Sequence, residues 1–267
     1  MRLANGVDLH HETTGQGPTI LMMHGGLGLD HSYLRTHHDH LAERFRVVFY
    51  DHRGNGRSTR GAGPADHMTW HADASALLDG LEVPRAIIYG HSYGAWLALG
   101  FALRYPERVQ AIVLCGVSAA FDYVPEVLEH VQAGPAAIAQ RFLALLATAP
   151  TTDDAFGAAW LDILPLYFHG PAQPELFART IYSAEGYRLG SACMASYDVA
   201  RRLPEIISPA LVLAGRHDFI TPIREGRRVA SAISGAELVE FAASGHFPFA
   251  EEPEVYRAAL TEWLQRF

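Results

Sequence analysis

The sequence is poor in the features that mark exported, membrane-spanning and disulfide-stabilised proteins. It has two cysteines, Cys115 and Cys193, and a chain of this size does not depend on disulfides. The longest uninterrupted apolar run covers 93–103, whereas a membrane-spanning helix needs about 20 apolar residues. Residues 1–8 lack the apolar segment of a secretory signal. We therefore expect a cytoplasmic protein without a membrane partner.

Positive charge is also scarce. Lysine and arginine together number 21 against 29 aspartates and glutamates, which gives a formal net charge of −8, and no basic block occurs. A nucleic-acid partner is not expected, because nucleic acids bind basic surfaces. The hydrophobic content of 49% is that of a folded globular chain rather than a disordered one.

Short apolar runs alternate with helical patterns along most of the chain. Runs that are apolar on both faces are typical of central strands in a parallel sheet. The pattern predicts an α/β fold, with a mostly parallel central sheet flanked by helices and an edge strand at 7–12. The predicted central strands are Thr19–Met23, Arg46–Tyr50, 85–89, 111–115, 210–214 and 237–242. The predicted helices are 31–42, 67–81, 93–105, 223–233 and 253–267.

One stretch, 121–204, interrupts this alternation. It shows helical segments cut by several prolines, many aromatic residues and no convincing strand. A helical insertion between parallel strands is expected to cover the carboxyl edge of the sheet, where ligands bind in open α/β folds. We therefore predict a core of residues 1–120 and 205–267, with a helical cap at 121–204.

The strongest chemical signal is the segment around Ser92, which reads Gly-His-Ser-Tyr-Gly from Gly90 to Gly94. It follows a predicted strand and precedes a predicted helix, which is the context that a nucleophilic serine turn requires. The two glycines allow strand and helix to approach closely, and the helix N-terminus stabilises negative charge. The motif predicts that Ser92 is a nucleophile.

Two later loops provide the partners that a serine nucleophile needs. Asp218 and His246 each follow a predicted strand, so the order along the chain is serine, acid, histidine. This order predicts that His246 is the general base and that Asp218 orients it. His217 is adjacent to Asp218 and is not expected to reach the same site, and Asp122 is the reserve acid.

A glycine-rich loop from His24 to Gly28 follows the first central strand. Glycines let such a loop turn tightly and aim a backbone N–H at the nucleophile. We expect the N–H groups of Gly26 and Tyr93 to form an oxyanion hole, which stabilises the negative charge of a reacting carbonyl oxygen. His24 is interpreted as a structural residue that braces this loop.

The apolar side chains predict where a substrate would lie. Trp160 and Tyr167 share one helical face in the predicted cap. They either pack the cap on the core or line an acyl or aryl pocket, since such pockets are mostly apolar. Together with Phe247, they are our candidates for contact with substrate.

Neither a metal nor a cofactor is expected. The densest group of histidines is His37, His38 and His40, but no second ligand group follows at metal-site spacing, so it is interpreted as a solvated helix face. The glycines of 51–58 are not spaced as in phosphate-binding loops, and this segment is interpreted as a turn held by Asp51 and Arg53. No dinucleotide fingerprint occurs.

Together these motifs resemble the α/β-hydrolase superfamily, and their order covers the chain except for the cap. Within that superfamily, the segments 24–34 and 51–58 are similar to those of proline iminopeptidases, which release N-terminal proline or other small residues from peptides. The resemblance implies the same catalytic triad at Ser92, Asp218 and His246.

The chain also departs from the iminopeptidase pattern. Leu27 and His52 stand where proline and glutamine are usual, and no cap glutamate falls in a pattern that would bind a substrate ammonium. Our first hypothesis is therefore a serine hydrolase of small carboxylic esters, with lactones and amides as further substrates. A proline iminopeptidase acting on short peptides, a carbon–carbon bond hydrolase, a non-hydrolytic enzyme and a small-molecule receptor are the alternatives. A homo-oligomer remains open.

Overall fold

The computed structural model describes residues 1–3, 5–63 and 65–267. Seven strands form one sheet: His11–Thr14 (β1), Thr19–Met23 (β2), Arg46–Tyr50 (β3), Ala86–His91 (β4), Val109–Cys115 (β5), Ala210–Gly215 (β6) and Glu237–Phe241 (β7). The α-helices are Ser32–His38 (α1), His67–Gly80 (α2), Tyr93–Arg104 (α3), Val124–Ala133 (α4), Ala136–Ala147 (α5), Asp153–Ile163 (α6), Ala184–Met194 (α7), Ile223–Ala232 (α8), Pro248–Glu251 (α9) and Pro253–Leu264 (α10). Five short 3₁₀ helices complete the described elements: Asp39–Glu43, Pro106–Arg108, Leu164–Tyr167, Pro174–Phe177 and Ala200–Glu205.

The sheet has the strand order β1-β3-β2-β4-β5-β6-β7, and only β1 runs antiparallel to its neighbour. Strands β2, β4 and β6 are buried along their whole length, as their unbroken apolar runs predict. The prediction of an α/β fold with a mostly parallel sheet flanked by helices is therefore confirmed. The predicted central strands also agree with the observed ones to within about two residues at each end.

The predicted edge strand at 7–12 is displaced. The strand begins at His11 instead, where it pairs with β3. Residues before it fold back on the start of the chain, because the N–H of Leu3 donates to the carbonyl of Val7 and the N–H of Leu9 donates to the carbonyl of Met1. The apolar side chains of this segment, including Val7 and Leu9, are buried in the core although they lie before the strand.

The segment between β5 and β6 is helical, as predicted. Residues 121–204 contain α4 to α7 and three of the 3₁₀ helices, and their one β contact is an isolated bridge between Ala120 and Asp198. The division into a core and a cap stays a prediction. No helix in the described ranges is long and apolar enough to cross a membrane.

The parallel arrangement brings the functional loops together. Met23 at the end of β2 pairs with Gly90, and His91 at the end of β4 pairs with Cys115 at the end of β5. β6 and β7 run parallel to these strands, so the loops that follow all five strands leave the same edge of the sheet.

A buried ion pair fixes the loop after β3. The guanidinium of Arg53 donates two hydrogen bonds to Asp73 on α2, at 2.8 and 2.6 Å, and Asp73 is 2% exposed. Two parallel N–H···O bonds give such a pair both strength and a fixed orientation. The prediction that Asp51 and Arg53 hold this turn is confirmed, since Asp51 accepts from the N–H of Arg57 at 2.8 Å.

Replacement of Asp73 should destabilise the fold strongly. Asp73→Ala leaves the buried Arg53 charge unpaired, and we expect a loss of about 3–5 kcal/mol in the free energy of unfolding, measured by urea denaturation. Asp79→Ala on the same helix is the matched control, because its pair with Arg108 involves an exposed carboxylate and should contribute less than about 1 kcal/mol. Equal losses in the two variants would contradict the assignment.

Candidate active site

Ser92 lies in a strained turn between β4 and α3. Its backbone has φ 55° and ψ −123°, a conformation that residues with a side chain rarely adopt. Its N–H donates to the carbonyl of Cys115 at 2.8 Å, which holds the turn against the neighbouring strand. A Cβ on Gly90 would overlap the backbone of Gly94 and Ala95, and one on Gly94 would overlap the carbonyl of Met23. Both glycines of the motif are therefore required by close packing.

Asp218 and His246 form a buried pair on the loops after β6 and β7. Nδ1 of His246 lies 2.7 Å from Oδ2 of Asp218, and both residues are at most 5% exposed. The other carboxylate oxygen accepts the N–H groups of Ile220 and Thr221, both at 2.9 Å. Because the carboxylate is an acceptor, Nδ1 carries the proton and donates it, which leaves a lone pair on Nε2.

That lone pair is not used by the described residues. Nε2 of His246 is buried and has no hydrogen-bond partner in the described chain, and His246 and Ser92 line the same cavity. Such an imidazole can accept the proton of a serine hydroxyl, and this contact commonly tightens only when substrate binds.

The two N–H groups predicted for the oxyanion hole are also available. Gly26 has φ 66° and Tyr93 is the first residue of α3, and both line the cavity. Neither backbone N–H donates to an acceptor in the described parts of the chain. Free N–H groups at a helix start carry partial positive charge, so the pair suits a developing oxyanion.

A chain of three hydrogen bonds connects the loops of the site. The N–H of Gly25 donates to the hydroxyl of Tyr33 at 2.7 Å, so that hydroxyl donates its own proton to Nδ1 of His91 at 2.8 Å. Nε2 of His91 must then carry a proton, which it donates to the carbonyl of His246 at 3.0 Å. Burial lowers the pKa of His91 well below its ordinary value, so the ring is neutral. The sequence does not reveal this series of hydrogen bonds, because the residues that form it are far apart along the polypeptide.

The loop from His24 to Gly28 is braced as predicted. Nε2 of His24 accepts the N–H of His52 at 3.1 Å, and its Nδ1–H donates to the carbonyl of Gly25 at 2.9 Å. The ring of His52 returns a hydrogen bond to the carbonyl of His24. Burial lowers the pKa of both histidines, and neither ring faces the cavity as a base.

The interpretation of the histidine group as a solvated face is wrong for His38. His38 lies one helical turn after the buried Leu34, on the face of α1 that packs on the core, so its ring does not share a solvent face. Its Nδ1–H donates to the carbonyl of Leu34 at 2.7 Å, and Nε2 accepts from the hydroxyl of Tyr256 at 3.0 Å. Burial lowers the pKa of His38 to about 3. His37 and His40 are partly buried.

The remaining candidates of the sequence lie outside the site. Asp122 is exposed and pairs with Arg228 at 3.0 Å, so it does not serve as the acid. His217 is exposed and stacks on His169 with ring centroids 3.7 Å apart. Thr221, by contrast, was missed: its hydroxyl donates to Asp218 at 2.7 Å. The spacing Asp-x-x-Thr is the local signal that could have identified it.

One group of described residues has the composition of a metal site. Ligand atoms of His10, His31 and Asp51 lie within 4.8 Å of one another. Nδ1 of His31 and Oδ1 of Asp51 are 2.6 Å apart, which is a hydrogen-bond distance, whereas two ligands of a tetrahedral ion would be about 3.3 Å apart. Glu12 lies 3.5 Å from Nε2 of His10 and 3.6 Å from Nε2 of His31, and it also pairs with Arg35. The group is therefore explained as a hydrogen-bond network.

A cavity of about 360 Å³ adjoins the serine and the histidine. Trp160, Tyr167 and Phe247 all line it, so the three residues predicted to contact substrate lie in one place. Helices α4 to α7 supply much of the remaining wall, including Val127, Phe142, Leu145, Ile163, Tyr187 and Met194. Its volume lies within the range of small-molecule sites.

A serine in a strained strand-to-helix turn, at the carboxyl edge of a parallel sheet, is characteristic of α/β enzymes that act by nucleophilic attack. Comparison with known proteins agrees with this class. Residues 18–253 match the family described as alpha/beta hydrolase fold, and the chain belongs to that family. It is therefore an enzyme of the α/β-hydrolase type.

Named relatives span nearly the whole chain. It is 33% identical to a pimeloyl-[acyl-carrier protein] methyl ester esterase of Chromobacterium violaceum, with 97% of this chain and 99% of that protein covered. It is 27% identical to 3-oxoadipate enol-lactonase 2 of Acinetobacter baylyi, with 99% and 96% covered. The structure of the enol-lactonase from Burkholderia xenovorans has a TM-score of 0.77 at 26% identity, with 98% of both chains covered. None of these three is a proline iminopeptidase.

Loss of the Tyr33 hydroxyl should destabilise the site. Tyr33→Phe leaves the N–H of Gly25 and Nδ1 of His91 without partners, and we expect the free energy of unfolding to fall by about 1–3 kcal/mol in urea titrations. Tyr50→Phe is the matched control, because that buried hydroxyl has no partner among the described residues and its removal should cost less than about 0.5 kcal/mol. If both variants were equally stable, the hydrogen-bond chain would not be supported.

Acid should destabilise the fold through His38. Its pKa is about 3 in the folded chain against 6.5 as the ordinary value, so below pH 6.5 the unfolded state binds a proton that the folded state does not. The contribution of His38 to the free energy of unfolding is therefore fully present above pH 6.5. It declines towards pH 3 by at most about 1.4 kcal/mol per pH unit. Urea titrations from pH 7.5 to 4.5 should show a shallower decline in His38→Gln. Identical slopes would refute the assignment.

Proposed function

We propose that this enzyme is a serine hydrolase of small carboxylic esters that uses a triad of Ser92, His246 and Asp218. Lactones and amides are further substrates of the same chemistry. The observation that carries the proposal is the oriented Asp218–His246 pair, whose free Nε2 faces the cavity that Ser92 also lines. In this proposal the helical segment 121–204 serves as the cap, and a small molecule is the partner.

The first half of the reaction acylates the serine. Nε2 of His246 takes the hydroxyl proton of Ser92 while Oγ attacks the carbonyl carbon of the substrate. The carbonyl oxygen becomes negative, and the N–H groups of Gly26 and Tyr93 donate to it. The intermediate collapses when the protonated His246 gives its proton to the departing alcohol, which leaves an acyl group on Ser92.

The second half repeats these steps with water. His246 takes a proton from water, whose oxygen attacks the acyl carbon, and then returns that proton to Ser92. Asp218 keeps Nδ1 protonated throughout and stabilises the imidazolium. Thr221 and its neighbours hold the carboxylate by three hydrogen bonds, so the imidazole does not have to be oriented anew in each cycle.

The relatives support cleavage of esters or lactones. Their printed names include a methyl ester esterase, an enol-lactonase and a putative carbamate hydrolase. Hydrolysis of an ester, a lactone or a carbamate by a serine nucleophile breaks the bond between the carbonyl carbon and its leaving group and passes through an oxyanion, so one site geometry can serve all three. Carbon–carbon bond hydrolysis and non-hydrolytic chemistry remain alternatives that product analysis would reveal.

The proline iminopeptidase alternative lacks the group that it needs. An iminopeptidase has to pair the ammonium of its substrate with a carboxylate near the nucleophile. No glutamate of the described chain lines the cavity. Four glutamates of the helical segment and its flank are exposed: Glu126, Glu129, Glu175 and Glu205. The fifth, Glu185, accepts a hydrogen bond from the N–H of Gly61. We therefore favour the ester hydrolase.

The triad is tested with two chromogenic substrates, p-nitrophenyl butyrate and a prolyl p-nitroanilide. We expect turnover of the ester, and a fall in kcat of at least about 10³-fold in Ser92→Ala. Asp218→Asn should lose about 10³ to 10⁴-fold, because the imidazole loses its orienting acceptor. A fluorophosphonate probe should add mass to the wild type and not to Ser92→Ala.

The control is Ser231→Ala, which removes an exposed hydroxyl on α8 and should leave kcat unchanged. Full ester turnover by Ser92→Ala would overturn the proposal. Rapid release of p-nitroaniline from the prolyl substrate would favour the iminopeptidase instead.

A further inference from the structure

The wall of the cavity carries no formal charge. No arginine, aspartate or glutamate lines it, and the sequence contains no lysine. Its ionisable members are histidines and tyrosines. Burial lowers the pKa of His91 and raises that of Tyr123 well above the ordinary value, so both are neutral at pH 7. The carboxylate of Asp218 lies behind His246, where its hydrogen bonds are already filled.

The arginines of the surrounding helices are directed elsewhere. Arg141 on α5 pairs with Asp162 at 3.0 Å, and both side chains are exposed. Arg188 on α7 donates to the carbonyl of Ala184 and borders a separate surface depression. No described cation is therefore placed to receive a substrate carboxylate inside the cavity.

A charged substrate group would be costly in such a cavity. An ion removed from water loses its hydration, which is recovered only when an opposite charge or several hydrogen bonds replace it. An apolar group, by contrast, gains free energy in proportion to the surface that it buries. The same wall therefore attracts hydrocarbon and rejects both carboxylate and ammonium.

We propose that the substrate is an uncharged ester or lactone whose apolar group fills this cavity, and that a carboxylate or ammonium on that group prevents turnover. This inference rests on the proposed ester hydrolysis and adds the class of substrate. It separates the enzyme from hydrolases whose substrates are held by their charge. It also places selectivity in the walls contributed by α4 to α7 rather than in the triad.

Matched substrates test the inference directly. One acyl series consists of p-nitrophenyl esters of hexanoic acid, adipic acid, adipic acid monomethyl ester and 6-aminohexanoic acid, which share a leaving group and a six-carbon acyl chain. In a second series the acyl group is always acetyl, and the alcohol part either lacks or carries a carboxylate: hexyl acetate and O-acetyl-6-hydroxyhexanoic acid. We expect kcat/KM of the charged members to be at least about 100-fold below that of their neutral partners in at least one series.

The series in which the loss occurs shows which side of the ester occupies the cavity. Charged and neutral members within about threefold in both series would overturn the inference while leaving the triad standing. No hydrolysis of any of these esters would overturn the proposed function itself, and Ser92→Ala provides the blank for both readings.

A rim variant provides an independent test. Leu146 lines the cavity and is 54% exposed, so a longer polar side chain fits there without being buried. Leu146→Arg should raise the ratio of kcat/KM for the carboxylate ester to that for the monomethyl ester at least about 10-fold, relative to Leu146→Gln. The glutamine variant controls for size and polarity. An unchanged ratio, in a variant that still hydrolyses the neutral ester, would contradict a selectivity based on charge.

Discussion

The close approach of β2, β4 and α3 is the constraint on which the site depends. Gly90 and Gly94 leave no space for a Cβ, so the start of α3 lies directly against the carboxyl ends of the two strands. This contact forces Ser92 into its positive φ, with its N–H bonded to β5. The strained backbone of Ser92 is maintained because the turn is held between the fully buried strand β4 and the buried helix α3. The hydroxyl of Ser92 and the N–H of Tyr93 are thereby held in place before substrate arrives.

Neutral hydrogen bonds connect the loop after β2, the end of β4 and the loop after β7. The N–H of Gly25, the hydroxyl of Tyr33, the ring of His91 and the carbonyl of His246 form one series of bonds that run in the same direction, and this direction fixes which nitrogen of His91 carries the proton. Because its members are buried and uncharged, the series fixes geometry without adding a field that competes with the carboxylate of Asp218. In the proposed reaction, that carboxylate and the free N–H groups act on the reacting carbonyl with little screening, since the site has a low dielectric.

Much of the fold and of the proposed catalytic set was predictable because the signals are local. A strand buried on both faces needs a continuous apolar run, so β2 and β3 were assigned to the residue. The Ser92 motif combines a required turn with required glycines, and Asp218 and His246 are located by their place after a strand. The edge strand β1 was misplaced because Val7 and Leu9 are buried in the core although they lie before the strand, and a local pattern does not distinguish that placement from a strand.

The sequence by itself determined the class of fold, the order of its elements and the candidates for the catalytic residues, because these depend on local patterns along the chain. Only the tertiary structure decided what surrounds them. Tyr33 and His91 are 58 residues apart, and His38 and Tyr256 are 218 apart, yet each pair shares a hydrogen bond. The charge-free cavity likewise depends on how four helices face one another, of which the sequence indicated only the face with Trp160 and Tyr167. Such contacts form because the parallel sheet brings distant loops to one edge, and packing there selects which side chains are buried and paired.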